Sequence, residues 1–216
     1  MNSKTENYVN QNKDYDVIVN AEHITKVFDS LAGKITALSD INLTIKKGEF
    51  VSIMGPSGCG KSTLLNLIGA LDRPTSGRIL INGIDIFTQQ DSEIAVMRNN
   101  LIGFVFQSYN LVNRSTVIKN VKLPAMIAGM SASEADSRAM KILQALGIAD
   151  KANQKTVNLS GGQQQRVAIA RCLINNPAII LADEPTGNLD TKTGADIFDM
   201  LKILSEKFER TILMVT

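Results

Sequence analysis

The sequence has little charge of either sign to spare: 23 Lys and Arg stand against 21 Asp and Glu, leaving +2. That balance offers no footprint for a phosphate backbone, so nucleic acid is not an expected partner. Two cysteines, Cys59 and Cys172, cannot staple a chain of 216 residues, and they suit a reducing compartment. No apolar run approaches the roughly 18 residues of a membrane span. Residues 1–16 lack the apolar centre of a signal peptide; rich in Asn, Lys and Asp, they read as a disordered polar tail. What is present is an ordinary balance, 44% hydrophobic and 20% charged, enough for one well-filled core. One cytosolic domain is expected over 17–216.

Apolar runs alternate with helical stretches from residue 16 onward. Residues 50–54 (FVSIM) are expected as a strand buried on both faces, followed by a helix over 61–71. Further strands are expected over 78–82, 102–106, 178–182 and 211–215. Such alternation implies a mainly parallel sheet covered by helices. Between about 108 and 177 the periodicity turns helical, over 115–127, 133–146 and 162–175. Ser133, with Asp136 three residues on, resembles an N-cap followed by a first-turn acid. This stretch reads as a helical lobe set into an α/β core.

The run Gly55-Pro56-Ser57-Gly58-Cys59-Gly60-Lys61-Ser62 has the spacing of a phosphate-binding loop and stands between a strand and a helix. Its glycines let successive N–H groups curl toward one centre, and the helix end adds positive potential there. Lys61 would neutralise the β- and γ-phosphates of a nucleotide, and the Ser62 hydroxyl would ligate Mg²⁺. Cys59 reads as a small filler; a sharper reading is that its alkylation blocks nucleotide entry. The loop alone does not separate a kinase, a GTPase, a motor and a transporter ATPase.

A second element is the strand Ile179-Ile180-Leu181-Ala182, which ends in Asp183 and Glu184. A buried parallel strand delivers its last residues to the ligand crevice. Asp183 can hold Mg²⁺ there through water, and Glu184, turned the other way by strand alternation, can polarise an attacking water. The third element is Leu159-Ser160-Gly161-Gly162-Gln163. Ser160 caps a helix, and the two glycines are expected to leave its N-terminus bare to a ligand. A second anion-binding helix end is unusual for a protein that handles one nucleotide.

Taken together, these residues resemble the ATP-binding subunits of ABC transporters, over essentially all of 17–216. Gly55 to Ser62 is similar to the family's Walker A, with Thr63 following it, and Gln107 to its Q-loop. Leu159 to Gln163 is similar to its signature, Asp183 and Glu184 to Walker B and the catalytic glutamate, and Asn188-Leu189-Asp190 to its D-loop. Phe28 is similar to the aromatic that stacks on adenine, although a lone Phe is more often core.

The resemblance implies a P-loop core with a mainly parallel sheet, an antiparallel N-terminal part and an inserted helical subdomain. It implies ATP and Mg²⁺, with Ser62, Gln107 and Asp183 at the metal and Glu184 and Gln107 in catalysis. Two copies would pair head to tail, Ser160, Gly161, Gly162, Gln163 and Asp190 of one facing the nucleotide of the other. A permease would be the membrane partner, placing the subunit at the cytoplasmic face of the plasma membrane as a peripheral protein.

The wording of 106–111 (FQSYNL), 120–124 (NVKLP) and 185–190 (PTGNLD) resembles a subgroup of macrolide exporters, lipoprotein-release pumps and antimicrobial-peptide resistance systems. There the ATPase drives a partner with a large extracytoplasmic part. A soluble ABC ATPase, or a regulatory clamp that moves nothing, is the alternative.

One feature of the family has no counterpart. A switch histidine is expected just after the strand over 211–215, where the chain stops at Thr216, and the one histidine, His23, lies in the first strand. Truncation is the expectation, with weak turnover and exposed apolar surface beside the last strand.

Overall fold

A computed structural model describes residues 16–31 and 33–216, so all but the last residue of the polar tail over 1–16 lies outside the described residues. Two sheets form the core. The first is antiparallel, in the order β2-β1-β4-β5, from β1 (Val17–Ser30), β2 (Gly33–Lys46), β4 (Ser76–Ile81) and the two-residue β5 (Ile84–Asp85). The second is parallel, in the order β3-β8-β7-β6, from β3 (Phe50–Ile53), β6 (Ile102–Phe106), β7 (Ile179–Asp183) and β8 (Thr211–Val215). The strand expected over 78–82 is therefore real but belongs to the antiparallel sheet.

Helix α1 (Lys61–Ile68) follows β3, and α2 (Asp91–Leu101) leads into β6. Helices α3 (Val117–Ile127), α4 (Ala132–Ala145) and α5 (Gly161–Leu173) stand between β6 and β7, and α6 (Thr191–Phe208) joins β7 to β8. The cap of α4 is Ser131, whose hydroxyl accepts from Glu134 N at 3.3 Å. The expected cap, Ser133, lies inside the helix, and Asp136 instead takes Lys122 Nζ at 2.6 Å.

Strand alternation divides the parallel sheet into two faces. Ile179 and Leu181 of β7 and Leu213 and Val215 of β8 pack with Leu64, Leu65, Leu67 and Ile68 of α1 and with the antiparallel sheet. Ile180, Ala182, Ile212 and Met214 face the other way, into a core shared with α3, α4, α5 and α6.

Being central, β7 and β8 are the strands buried on both faces; β3 is an edge, and Phe50, Val51 and Ile53 are only half-buried. The expectation for 50–54 thus fits β7 and β8 instead. The last strand itself is not left open, since all five of its residues are buried, but exposed apolar side chains stand on the elements flanking it: Met54 just past β3, and Phe198, Ile203 and Phe208 of α6.

Candidate nucleotide site

The phosphate-loop residues gather at the C-terminal edge of β3. Gly58 and Gly60 take positive φ, 80° and 96°, and a Cβ at Gly60 would come within 2.5 Å of Ala37 O. Glycine at 60 is therefore demanded twice, by conformation and by the approach of β2. Gly60 precedes α1 without a side-chain cap, and the first turn carries no acid. Its leading N–H groups are thus free to meet an anion.

Lys61 is buried, and its ammonium donates to the carbonyls of Gly55 at 2.6 Å and Pro56 at 2.9 Å. Ser62 reaches past β8 to the end of β7: its hydroxyl donates to Asp183 Oδ1 at 2.8 Å. Ser57 and Cys59 are exposed on the loop, Thr63 is half-buried in the first turn of α1, and a Cβ at Gly55 would lie 3.1 Å from Cys59 Sγ.

The oxygens of Ser62 and Asp183 fit Mg²⁺, which takes one or two protein oxygens and completes its shell with water and phosphate. Among the described residues no group of three His, Cys, Asp or Glu could hold a metal ion.

Glu184 lies just past β7 with φ at 44°, its N–H donating to Val215 O at 3.0 Å. The direction of its side chain is set by this left-handed turn, not by the strand alternation expected. The carboxylate is half-buried and has no hydrogen-bond partner among the described residues. Gln107 follows β6, where Phe106 pairs with Asp183 in the parallel ladder. It is thereby carried to the same edge as Ser62 and Asp183.

Phe28 lies within β1, paired with Ile35 of β2, two residues before the Ala37 that meets Gly60. It is 41% exposed, with Lys26 Nζ 4.9 Å from the ring centre. The core alternative for this ring does not hold. His23 sits in β1 at an irregular stretch, exposed, with Nδ1 2.7 Å from Asp40 Oδ1.

The signature residues lie on the other face of the sheet, with Leu159 in the helical-lobe core. Ser160 caps α5 in a capping box: its hydroxyl accepts from Gln163 N at 3.4 Å, and Gln163 Oε1 accepts from Ser160 N at 3.0 Å. The helix end is thus capped, not bare. The two glycines answer to packing as well. A Cβ at Gly161 would come within 2.8 Å of the Tyr109 hydroxyl, and one at Gly162 would overlap Thr193 Cγ2. Asp190 caps α6, accepting from Thr193 N at 3.0 Å. Hydrogen bonds from Thr193, side chain first and backbone second, hold its carboxyl below the usual carboxylate range.

The sequence gives no sign of the structural roles of four residues of this region, although Tyr109, Asn110 and Asn188 stand in the motif runs quoted above. Tyr109 and Asn110 both take positive φ, and Arg171 of α5 donates to their carbonyls at 2.9 and 2.6 Å. Burial pulls the Arg171 guanidinium below its ordinary value, and two carbonyls stand where a carboxylate could have been. Asn188 faces Gln107 with both ends of its amide. Consecutive left-handed residues and an exposed Asn are visible only once the chain is folded.

Comparison with known proteins places this geometry. A family model described as ABC transporter matches residues 38–187. An ABC transporter ATP-binding protein of Thermotoga maritima, itself uncharacterised, is 49% identical over 193 residues, 89% of this chain and 82% of that protein. The lipoprotein-releasing system ATP-binding protein LolD of Bacteroides thetaiotaomicron is 46% identical over 92% of this chain and 89% of its own length. The macrolide export ATP-binding/permease protein MacB of Bartonella henselae is 47% identical over 94% of this chain, which spans 31% of that longer protein.

Among solved structures, the dimeric MJ0796 cassette superposes with a TM-score of 0.85 at 48% identity, covering 92% of this chain and 88% of that one. The same cassette is also known as a dimer in a post-hydrolysis state bound to ADP and Pi, at the same TM-score of 0.85. The fold is the ABC cassette fold, and the relatives include a lipoprotein-release and a macrolide-export protein, two of the three kinds in the subgroup that the sequence resembles. With its loop, paired acids and capped signature helix in place, the chain belongs to the ABC transporter ATP-binding family.

Proposed function

We propose that this chain binds and hydrolyses ATP as the motor subunit of a membrane transporter of the lipoprotein-release and macrolide-export kind. The observation that carries the reading is the 2.8 Å hydrogen bond from Ser62 to Asp183, which joins the phosphate loop to the acid-tipped strand at one point. Lys61, already shielded from water by the loop, exchanges its carbonyl partners for the β- and γ-phosphates. Ser62, Asp183 and Gln107 hold Mg²⁺, which when bound neutralises charge between the phosphates. Glu184, with a carboxylate that no neighbour occupies, orients water against the γ-phosphorus and takes its proton as the bond to ADP breaks. Phe28, exposed beside the loop, offers its ring to adenine.

The two glycine-led helix N-termini, α1 without a side-chain cap and α5 with its Gln163 N–H capped by Ser160, support head-to-tail pairing. Helix α1 packs on one face of the parallel sheet and α5 on the other. One chain cannot close both upon a single phosphate. A second copy can, its Ser160, Gly161, Gly162, Gln163 and Asp190 completing the site held by Lys61 of the first. That the MJ0796 cassette is dimeric supports the pairing of two copies.

A membrane partner is supported by the helical lobe, where Leu123, Met126 and Ile127 of α3, with Val112 and Val157, are exposed. No described helix is long and apolar enough to cross a membrane, so attachment to the cytoplasmic face is assigned to a permease.

Glu184→Gln tests the reading. The variant is expected to bind ATP as the parent does, to lose turnover, and to elute as a dimer only with ATP. Turnover within a few-fold of the parent removes Glu184 from its role. The transport half is tested by co-purification from detergent-solubilised membranes: a membrane partner with a large extracytoplasmic domain supports it. Soluble partners alone would replace it with a soluble ATPase.

A further inference from the structure

Gln107 is assigned above to the metal, and an amide can ligate a cation only through its oxygen. Which end of the amide is offered is therefore a functional question, and the structure answers it through a chain of donors and acceptors. Asn188 Nδ2 donates to the backbone oxygen of Gln107 at 2.9 Å. That oxygen can only accept, so the Asn188 amide has its nitrogen on this side and Oδ1 on the other. Oδ1 meets the Gln107 side chain, where Nε2 donates to it at 3.4 Å. Nε2 is thus engaged, and Oε1 is the end left over. Gly187 makes room: a Cβ there would lie 2.6 Å from Gln107 Nε2 and 3.2 Å from Cδ.

We propose that Asn188, with Gly187 beside it, is a positioning residue that orients the Gln107 amide so that Oε1 is the atom presented for metal binding. The proposal rests on Gln107 being a metal ligand.

The test is the affinity of the intact protein for a fluorescent ATP analogue, N-methylanthraniloyl ATP, titrated in Mg²⁺ and again in EDTA. Asn188→Ala is expected to weaken binding in Mg²⁺ by about two- to tenfold, what one neutral hydrogen bond is worth, and to leave binding in EDTA unchanged. Gly187→Ala should do the same by a different cause, displacement of the amide. Gly187 is not among the glycines with positive φ, so alanine suits its backbone.

In a Gln107→Ala background, Asn188→Ala should cost nothing further. Parental affinity in Mg²⁺, or an equal loss in EDTA, overturns the proposal. If Gln107→Ala itself leaves Mg²⁺-dependent binding unchanged, Gln107 is not a ligand; the underlying reading then falls and takes this one with it.

Discussion

Gly162→Ala is a change whose sign separates two accounts of the signature. Helix propensity alone favours alanine over glycine by about 0.8–1 kcal/mol in a helix interior, so a helix end kept open only for a ligand should gain stability. The packing says otherwise. A Cβ at Gly162 would sit closer to Thr193 Cγ2 than the 3.0 Å below which real Cβ atoms are essentially never found. Thr193 stands in the first turn of α6, where its backbone N–H serves Asp190, and a β-branched side chain in a helix has few rotamers to escape into.

Forcing a methyl into such a contact costs about 1–3 kcal/mol, which outweighs the propensity gain. The expected net loss is centred on about 1 kcal/mol in urea unfolding, with an unchanged dependence on denaturant. Thr193→Ser removes the offending methyl. It should recover most of the loss in the Gly162→Ala background while slightly destabilising the parent, giving a coupling energy of about 1 kcal/mol in the double-mutant cycle. Gly162→Ala as stable as the parent, or Thr193→Ser without effect upon it, refutes the contact between α5 and α6 as the reason for glycine at 162.

Lys61→Ala removes a charge-assisted phosphate contact of about 1.5–3 kcal/mol, so nucleotide affinity should fall by about ten- to 150-fold in equilibrium titration; a loss under threefold would take Lys61 off the phosphates. The two cysteines should part company on alkylation. Burial pushes the Cys172 thiol up to about 12, leaving almost no thiolate at pH 8, whereas Cys59 is exposed on the phosphate loop. Mass spectrometry should find Cys59 labelled and Cys172 intact, with ATP slowing the reaction; rapid labelling of Cys172 in the folded protein contradicts its packing.

The Asp190 carboxyl, held below its ordinary 3.8 by Thr193, favours folding at neutral pH. That contribution is complete above the ordinary value and is lost as pH falls through the lowered one. The gap in melting temperature between the parent and Asp190→Ala should therefore shrink below about pH 4, and a gap that stays constant to pH 2.5 rules the charge out.

The residues that could be read from the sequence are those whose chemistry is written in spacing. The phosphate loop needs its glycines, Lys61 and Ser62 in one unbroken run, so the run announces the site before any fold is known. The strands β6 and β8 fall where their apolar runs place them, because a short apolar run between turn signals has few alternatives. What could not be read is what depends on sheet order. Residues 50–54 and 179–183 look equally apolar, yet one is an edge and the other central, since burial on both faces is decided by neighbours far along the chain.

The paired glycines show the same limit within a motif. Their spacing marks a helix end, but Gly161 is needed against Tyr109 and Gly162 against Thr193, two residues that approach from opposite sides in sequence. Asn188 is the extreme case: its run marks a loop of the family, but nothing local signals that its amide meets Gln107. Its orientation of Gln107 exists only because the parallel ladder sets Phe106 beside Asp183 and so brings the ends of β6 and β7 to one edge.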